Sequence, residues 1–89
     1  MKVEAPREVG ATVSATTSSA QSAVLDGRDL VISSDVAFHI LFGSNPTATT
    51  ACLRIPANTA VPFSNIVPGE KFAVILTTGT GTVQYSAVG

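Results

Sequence analysis

His39 and Cys52 are the side chains of this 89-residue sequence best equipped for chemistry, and each residue type occurs once. A histidine works as a general base when a nucleophile lies within hydrogen-bond reach and a carboxylate orients the ring. Asp35 is the nearest acid in sequence, yet positions four apart on a strand sit about 13 Å from each other along one face. One histidine and one cysteine are too few donors for a tetrahedral metal site within one chain. Cys52 would need a nearby base or a helix N-terminus to hold a thiolate, and Arg54 on the same strand face supplies at most a weak pull. His39 therefore reads as a structural or interface residue, and Cys52 as a small half-buried side chain.

The remaining candidates have equally local explanations. Gly79-Thr80-Gly81-Thr82 has the glycines of a phosphate loop but neither its lysine nor its helix, so it reads as a hairpin turn. Asp26 and Asp29 flank Arg28 next to Gly27, a pattern of local hydrogen bonds and surface ion pairs. A carboxylate pair for glycoside cleavage would need a cleft and a raised pKa. Asn45-Pro46-Thr47 is disqualified as a glycosylation site by its proline. The expectation is a non-enzymatic chain that uses no metal and no cofactor.

Composition leads the same way. The chain is 45% hydrophobic and 12% charged, with a formal net charge of −1. Disordered chains show the opposite balance, and binding to nucleic acid or an anionic membrane needs a basic field that is missing here. A surface so poor in charge repels its neighbours weakly, which favours a working state in which part of it is covered. A lone cysteine excludes an intrachain disulfide. The opening residues Met1 to Glu8 carry charges and Pro6 where a signal peptide would be apolar. No run approaches the roughly 20 apolar residues of a membrane span. These features suggest synthesis and folding in a cytoplasm.

The elements that must position these residues are strands. Residues 29–33 place Leu30 and Ile32 on one face, and residues 36–42 place Val36, Phe38, Ile40 and Phe42 on one face. The opposite face of that second strand, Ala37, His39 and Leu41, is less polar than a solvated face. Residues 51–55 turn Leu53 and Ile55 inward, residues 71–77 bury Phe72, Val74 and Leu76, and residues 82–88 put Val83 and Tyr85 together. Pro56, Pro62 and Pro68 keep central strands away from their positions, leaving an edge strand over 61–66. Val67-Pro68-Gly69-Glu70 fits a tight turn. Short strands joined by Gly and Pro turns, with no helical periodicity, give an all-β fold: a small antiparallel sandwich, jelly-roll-like or immunoglobulin-like.

Residues 1–22 differ from the body at 23–89. Met1 to Gly10 holds Lys2, Glu4, Arg7 and Glu8, and residues 11–22 are almost entirely Ala, Thr, Ser and Gln. Such a stretch cannot bury enough surface to fold alone, so it is an extended arm or a strand added to a sheet edge. Glu4, Arg7, Glu8, Val13, Thr16 and Thr17 are the candidate arm contacts to a partner. Val61, Phe63 and Ile66 are the candidate contacts along the edge strand, since strand addition supplies main-chain hydrogen bonds without a side-chain motif.

A further pattern runs through Ala15-Thr16-Thr17-Ser18-Ser19-Ala20-Gln21, Phe38-His39-Ile40-Leu41-Phe42-Gly43 and Thr47-Ala48-Thr49-Thr50-Ala51. It continues in Val67-Pro68-Gly69-Glu70-Lys71 and Gly79-Thr80-Gly81-Thr82-Val83-Gln84-Tyr85. On these segments, residues 15–88 resemble small accessory structural proteins of tailed bacteriophage virions. The resemblance implies a β-sandwich on the capsid or its fittings and supplies no catalytic residues. It implies a decoration or cement subunit that binds the major capsid protein or another virion protein, forms a homo-oligomer (a trimer, as at three-fold positions), and resides on the virion after synthesis in the host cytoplasm. A head-to-tail or tail adaptor or fibre-attachment subunit is the alternative. A carbohydrate-binding module is another, weakened by the absence of tryptophan and the single tyrosine, Tyr85. On this reading, deleting residues 1–22 should abolish attachment to particles while leaving the body folded, as measured by co-sedimentation and circular dichroism.

Overall fold

A computed structural model describes residues 11–87. They form eight strands: β1 (Ala11–Ala15), β2 (Ala20–Gln21), β3 (Leu30–Ser34), β4 (Phe38–Gly43), β5 (Leu53–Ile55), β6 (Thr59–Phe63), β7 (Lys71–Ile75) and β8 (Gly81–Ala87). No helix occurs among the described residues. The strands make two four-stranded sheets, the first in the order β1-β8-β3-β6 and the second in the order β2-β7-β4-β5.

The pairing follows one rule. β1 pairs with β8, β2 with β7, β3 with β6 and β4 with β5, all antiparallel, so the partner numbers of these four pairs sum to nine. This is a long antiparallel hairpin wrapped over itself, and the β3–β8 and β4–β7 pairings hold the wrap. The result is the eight-stranded jelly roll, a sandwich of two sheets. An immunoglobulin-like arrangement keeps its last two strands in one sheet, whereas β7 and β8 lie in different sheets.

Period-two alternation supplies the core. Leu30, Ile32, Phe38, Ile40, Phe72, Val74, Leu76, Val83 and Tyr85 are all buried between the sheets. Four rings link the layers in series: Phe63 to Phe42 at 5.2 Å between centroids, Phe42 to Phe72 at 5.7 Å, and Phe72 to Tyr85 at 4.9 Å, edge to face. Leu53 departs from expectation. It pairs with Ile40 but is 62% exposed, because β5 is a three-residue edge strand with a neighbour on one side only.

In the second half of residues 1–22 the extended arm gives way to the alternative, strands added to sheet edges, so the domain boundary at 22/23 is corrected. Ala11 to Ala15 is an edge strand of the first sheet, in unbroken register with β8, and its Val13 and Ala15 belong to the buried residues. Residues 20–21 pair with β7 in the second sheet. Small side chains suit this segment because packing on a ready-made sheet requires less burial than folding alone. Glu4, Arg7 and Glu8 lie outside the described residues. Deleting residues 1–22 would thus remove two strands of the sandwich, and an unfolded product would say nothing about attachment.

Two glycines set the wrap. Gly69 adopts φ 92° in a turn closed by Glu70 N–H donating to Val67 C=O at 3.1 Å. Gly81, opposite Ala15, has the Val36 side chain packed where a Cβ would project. Gly81→Ala should destabilise the fold by about 1–3 kcal/mol through overpacking. In Val36→Ala the same change should cost much less, a non-additivity readable by urea unfolding of the four proteins of the cycle.

Candidate interaction surface

The two outer faces of the sandwich are treated differently by the chain. On the second sheet the row Gln21, Ala73, Leu41 and the row Arg54, His39, Ile75 point outward. Ala73 is nonetheless fully buried and His39 nearly so. The cover is the β4–β5 connection, residues 44–52, which crosses this face as a strap whose own Pro46 and Ala48 are buried. Gln21 Nε2 donates to Asn45 Oδ1 at 2.9 Å and to Pro46 C=O at 2.8 Å, and Ala48 N–H donates to Ser19 Oγ at 2.9 Å. The weakly polar second face of β4 is thus largely internal, and Leu41 alone among its large apolar side chains stays exposed.

The strap also explains the two reactive side chains. His39 Nδ1 lies 2.9 Å from Cys52 C=O; a carbonyl accepts only, so Nδ1 carries the proton and donates. Cys52 closes a tight turn in which its N–H donates to Thr49 C=O at 3.0 Å and its Sγ accepts from Thr49 N–H at 3.4 Å. Histidine and cysteine are brought together, yet as an anchor and a turn, with no carboxylate between them. No cluster of three metal-ligating side chains exists among the described residues.

The turn at Asp26 behaves as its sequence suggests. Arg28 N–H and Nε donate to the Asp26 carboxylate at 3.2 and 2.9 Å. The backbone N–H of Arg28 is the main cause that holds the Asp26 carboxyl below its ordinary range; desolvation opposes it, and the guanidinium adds to the lowering. A depressed carboxyl pKa favours the folded state above the unfolded pKa, and that favour fades as pH falls through the folded one. For a fully exposed group the effect is screened.

The first sheet presents the contrasting surface. Thr12, Gln84, Ser33 and Ala60 form one in-register row across all four strands. Ser14 and Thr82 flank it on one side, and Ser86, Val31 and Pro62 on the other. None of these side chains is charged, and all are exposed or half-buried. An open groove of about 550 Å³ lies at one end, lined by Ser33, Asp35, Asn58, Thr59, Thr82 and Gln84 among others. Its chemistry is hydroxyl and amide with one carboxylate.

The other sequence candidates fall around this face. Val61 and Phe63 turn inward and pack on the core, and Ile66 is buried in the following turn. β6 is an edge strand as expected, but its outward side chains are Ala60 and Pro62, because alternation sends 61 and 63 to the core. Val13 is likewise a core residue. Thr16 C=O accepts from Leu76 N–H at 2.8 Å where the chain changes sheets, and Thr17 is exposed beside it. The uncharged face was not singled out from sequence, although charge-free alternation at 12, 14, 82, 84 and 86 was its signal.

With the geometry described, comparison with family models, curated proteins and solved structures finds no match.

Gln21→Ala should loosen the strap, since two hydrogen bonds from one amide fasten it. About 1–2 kcal/mol of stability should be lost, and Cys52 should react faster with a thiol reagent while the strands persist by circular dichroism.

Proposed function

We propose that this chain is a non-enzymatic structural subunit of a tailed-phage particle, a capsid decoration or cement protein. The observation that supports this reading is the asymmetry of the sandwich. One outer face is closed by the chain's own strap, while the other is an uncharged expanse of Thr, Ser, Gln, Ala and Pro. A face without charge loses little on desolvation against a flat protein partner, and the low net charge lets many copies crowd onto one shell. The jelly roll is compatible with the reading by analogy alone, since the fold also serves lectins and cupins.

In this reading the open face lies against the major capsid protein at the virion surface. Each contact is modest, and repetition by the shell's symmetry makes the assembly hold. A head-to-tail or tail fitting would use the same face against a different ring. A neutral glycan in the groove by Gln84 is the reading favoured by the hydroxyl and amide lining, and it would be detected as binding to soluble oligosaccharide without particles.

Particles produced without this chain should release DNA at a lower temperature, and adding the purified protein should restore their stability. The variant Ser33→Lys/Gln84→Lys, charged on the open face, should remain folded and fail to restore it. Unchanged stability of particles lacking the chain would refute the cement role.

A further inference from the structure

We propose that the free edge of β1 is a pairing edge for a second copy of this chain, joined antiparallel about a two-fold axis.

The direction of each backbone group can be followed across the first sheet from Pro62. Proline has no N–H, and opposite Val31 it fits as a non-hydrogen-bonded pair. That turns the N–H and C=O of Val31 toward β8. Directions repeat every second residue, so Ser33 also faces β8, and its partner Gln84 faces β3. Two bonds outside the ladders agree. Asn58 N–H donates to Ser34 C=O at 2.8 Å on the β6 side of β3, and Ser34 Oγ donates to Thr82 C=O at 2.8 Å on the β3 side of β8. Gln84 and Thr82 thus turn away from β1. Their β1 partners, Thr12 and Ser14, direct their N–H and C=O groups outward from the sheet. No described residue bonds these four groups.

The other three edges of the sandwich are blunted. β6 carries Pro62 at its middle. β2 has two residues, with the side chains of Gln21 and the nearby Ser19 bonded to the strap. β5 has three, between the Cys52 turn and Pro56. Such devices keep sheets from joining edge to edge. β1 has none of them: five residues in unbroken register, with no proline, glycine or charge from Ala11 to Ser22.

The absence of charge is what selects a second copy as the occupant, because two identical edges then meet without like-charge repulsion. A strand paired antiparallel with itself is also self-complementary by symmetry. The register that sets Thr12 against Ser14 of the second copy satisfies all four outward groups at once, with Val13 facing its counterpart. Thr16 marks the end of the pairing, since its carbonyl already accepts from Leu76 N–H. Joining the copies makes one continuous eight-stranded sheet and doubles the open uncharged face. This inference does not depend on the virion role: solution mass tests the pairing, and particle stability tests the role.

The experiment is sedimentation equilibrium of the full chain over a range of concentrations, beside Ser14→Pro and Thr12→Lys/Ser14→Lys. Proline at 14 removes an outward donor alone and should leave the circular dichroism of the monomer unchanged. The lysine pair places cations against cations in the stated register and leaves the core untouched. The expected result is a concentration-dependent mass of twice 9.1 kDa, with a dissociation constant raised at least tenfold in both variants. A monomer at every concentration, a trimer, or a dimer indifferent to both variants would overturn the proposal. So would a monomer that dimerises only after deletion of residues 1–10, which would make that segment the occupant of the edge.

Discussion

The structure depends on a chain of four aromatic rings that stitches one sheet to the other. Phe63 and Tyr85 come from the first sheet, Phe42 and Phe72 from the second, and the contacts run Phe63–Phe42–Phe72–Tyr85. Two of the three contacts cross between sheets, and the third joins ladder partners. Aromatic pairs add to simple burial by about 0.5–1.5 kcal/mol each. In a domain this small, with one modest core, that layer fixes the spacing and alignment of everything else. It also explains why Phe63, on a terminal strand, is turned to the interior.

Once the sheets are aligned, the wrapped hairpin decides the surfaces. Short connections cross between sheets at β1–β2, β3–β4, β5–β6 and β7–β8. The β4–β5 connection joins neighbours in one sheet with far more chain than a hairpin needs, and the surplus lies over the outer face as the strap. Its anchors are polar: Gln21, Ser19 and His39 hold its main chain, so its own Ala48 and the Ala73 beneath it are sealed without large hydrophobes. A lone histidine and a lone cysteine thereby become parts of one covering device.

Among the described residues the outer rows of the first sheet stay exposed or half-buried, and the contrast gives the molecule a polarity that its net charge does not. Its outer rows are flat, neutral and made of short side chains, so their conformational entropy cost on contact is small.

Much of the fold was legible in the sequence. Period-two runs from Leu30 to Leu76 and at Val83 and Tyr85, with the turn at Gly69, identified the strands and most of the core, because side-chain alternation and turn geometry are local properties. The candidate surface was less legible. Val61, Phe63 and Ile66 looked like edge contacts and are interior, since which side of an edge strand faces the core is decided by the opposing sheet. Residues 11–22 read as either an arm or a strand added to a sheet edge; composition left both open, and the second holds, because the partners that decide it lie far along the chain, as Ala11 with Tyr85 shows. The strap over His39 was equally invisible: its hydrogen bonds link residues 13 to 29 positions apart. The sequence by itself determined that strands would form and which faces of most would be apolar. Only the tertiary structure decided which edges and faces remained open, because that depends on pairings between residues remote in the chain, which no local pattern encodes.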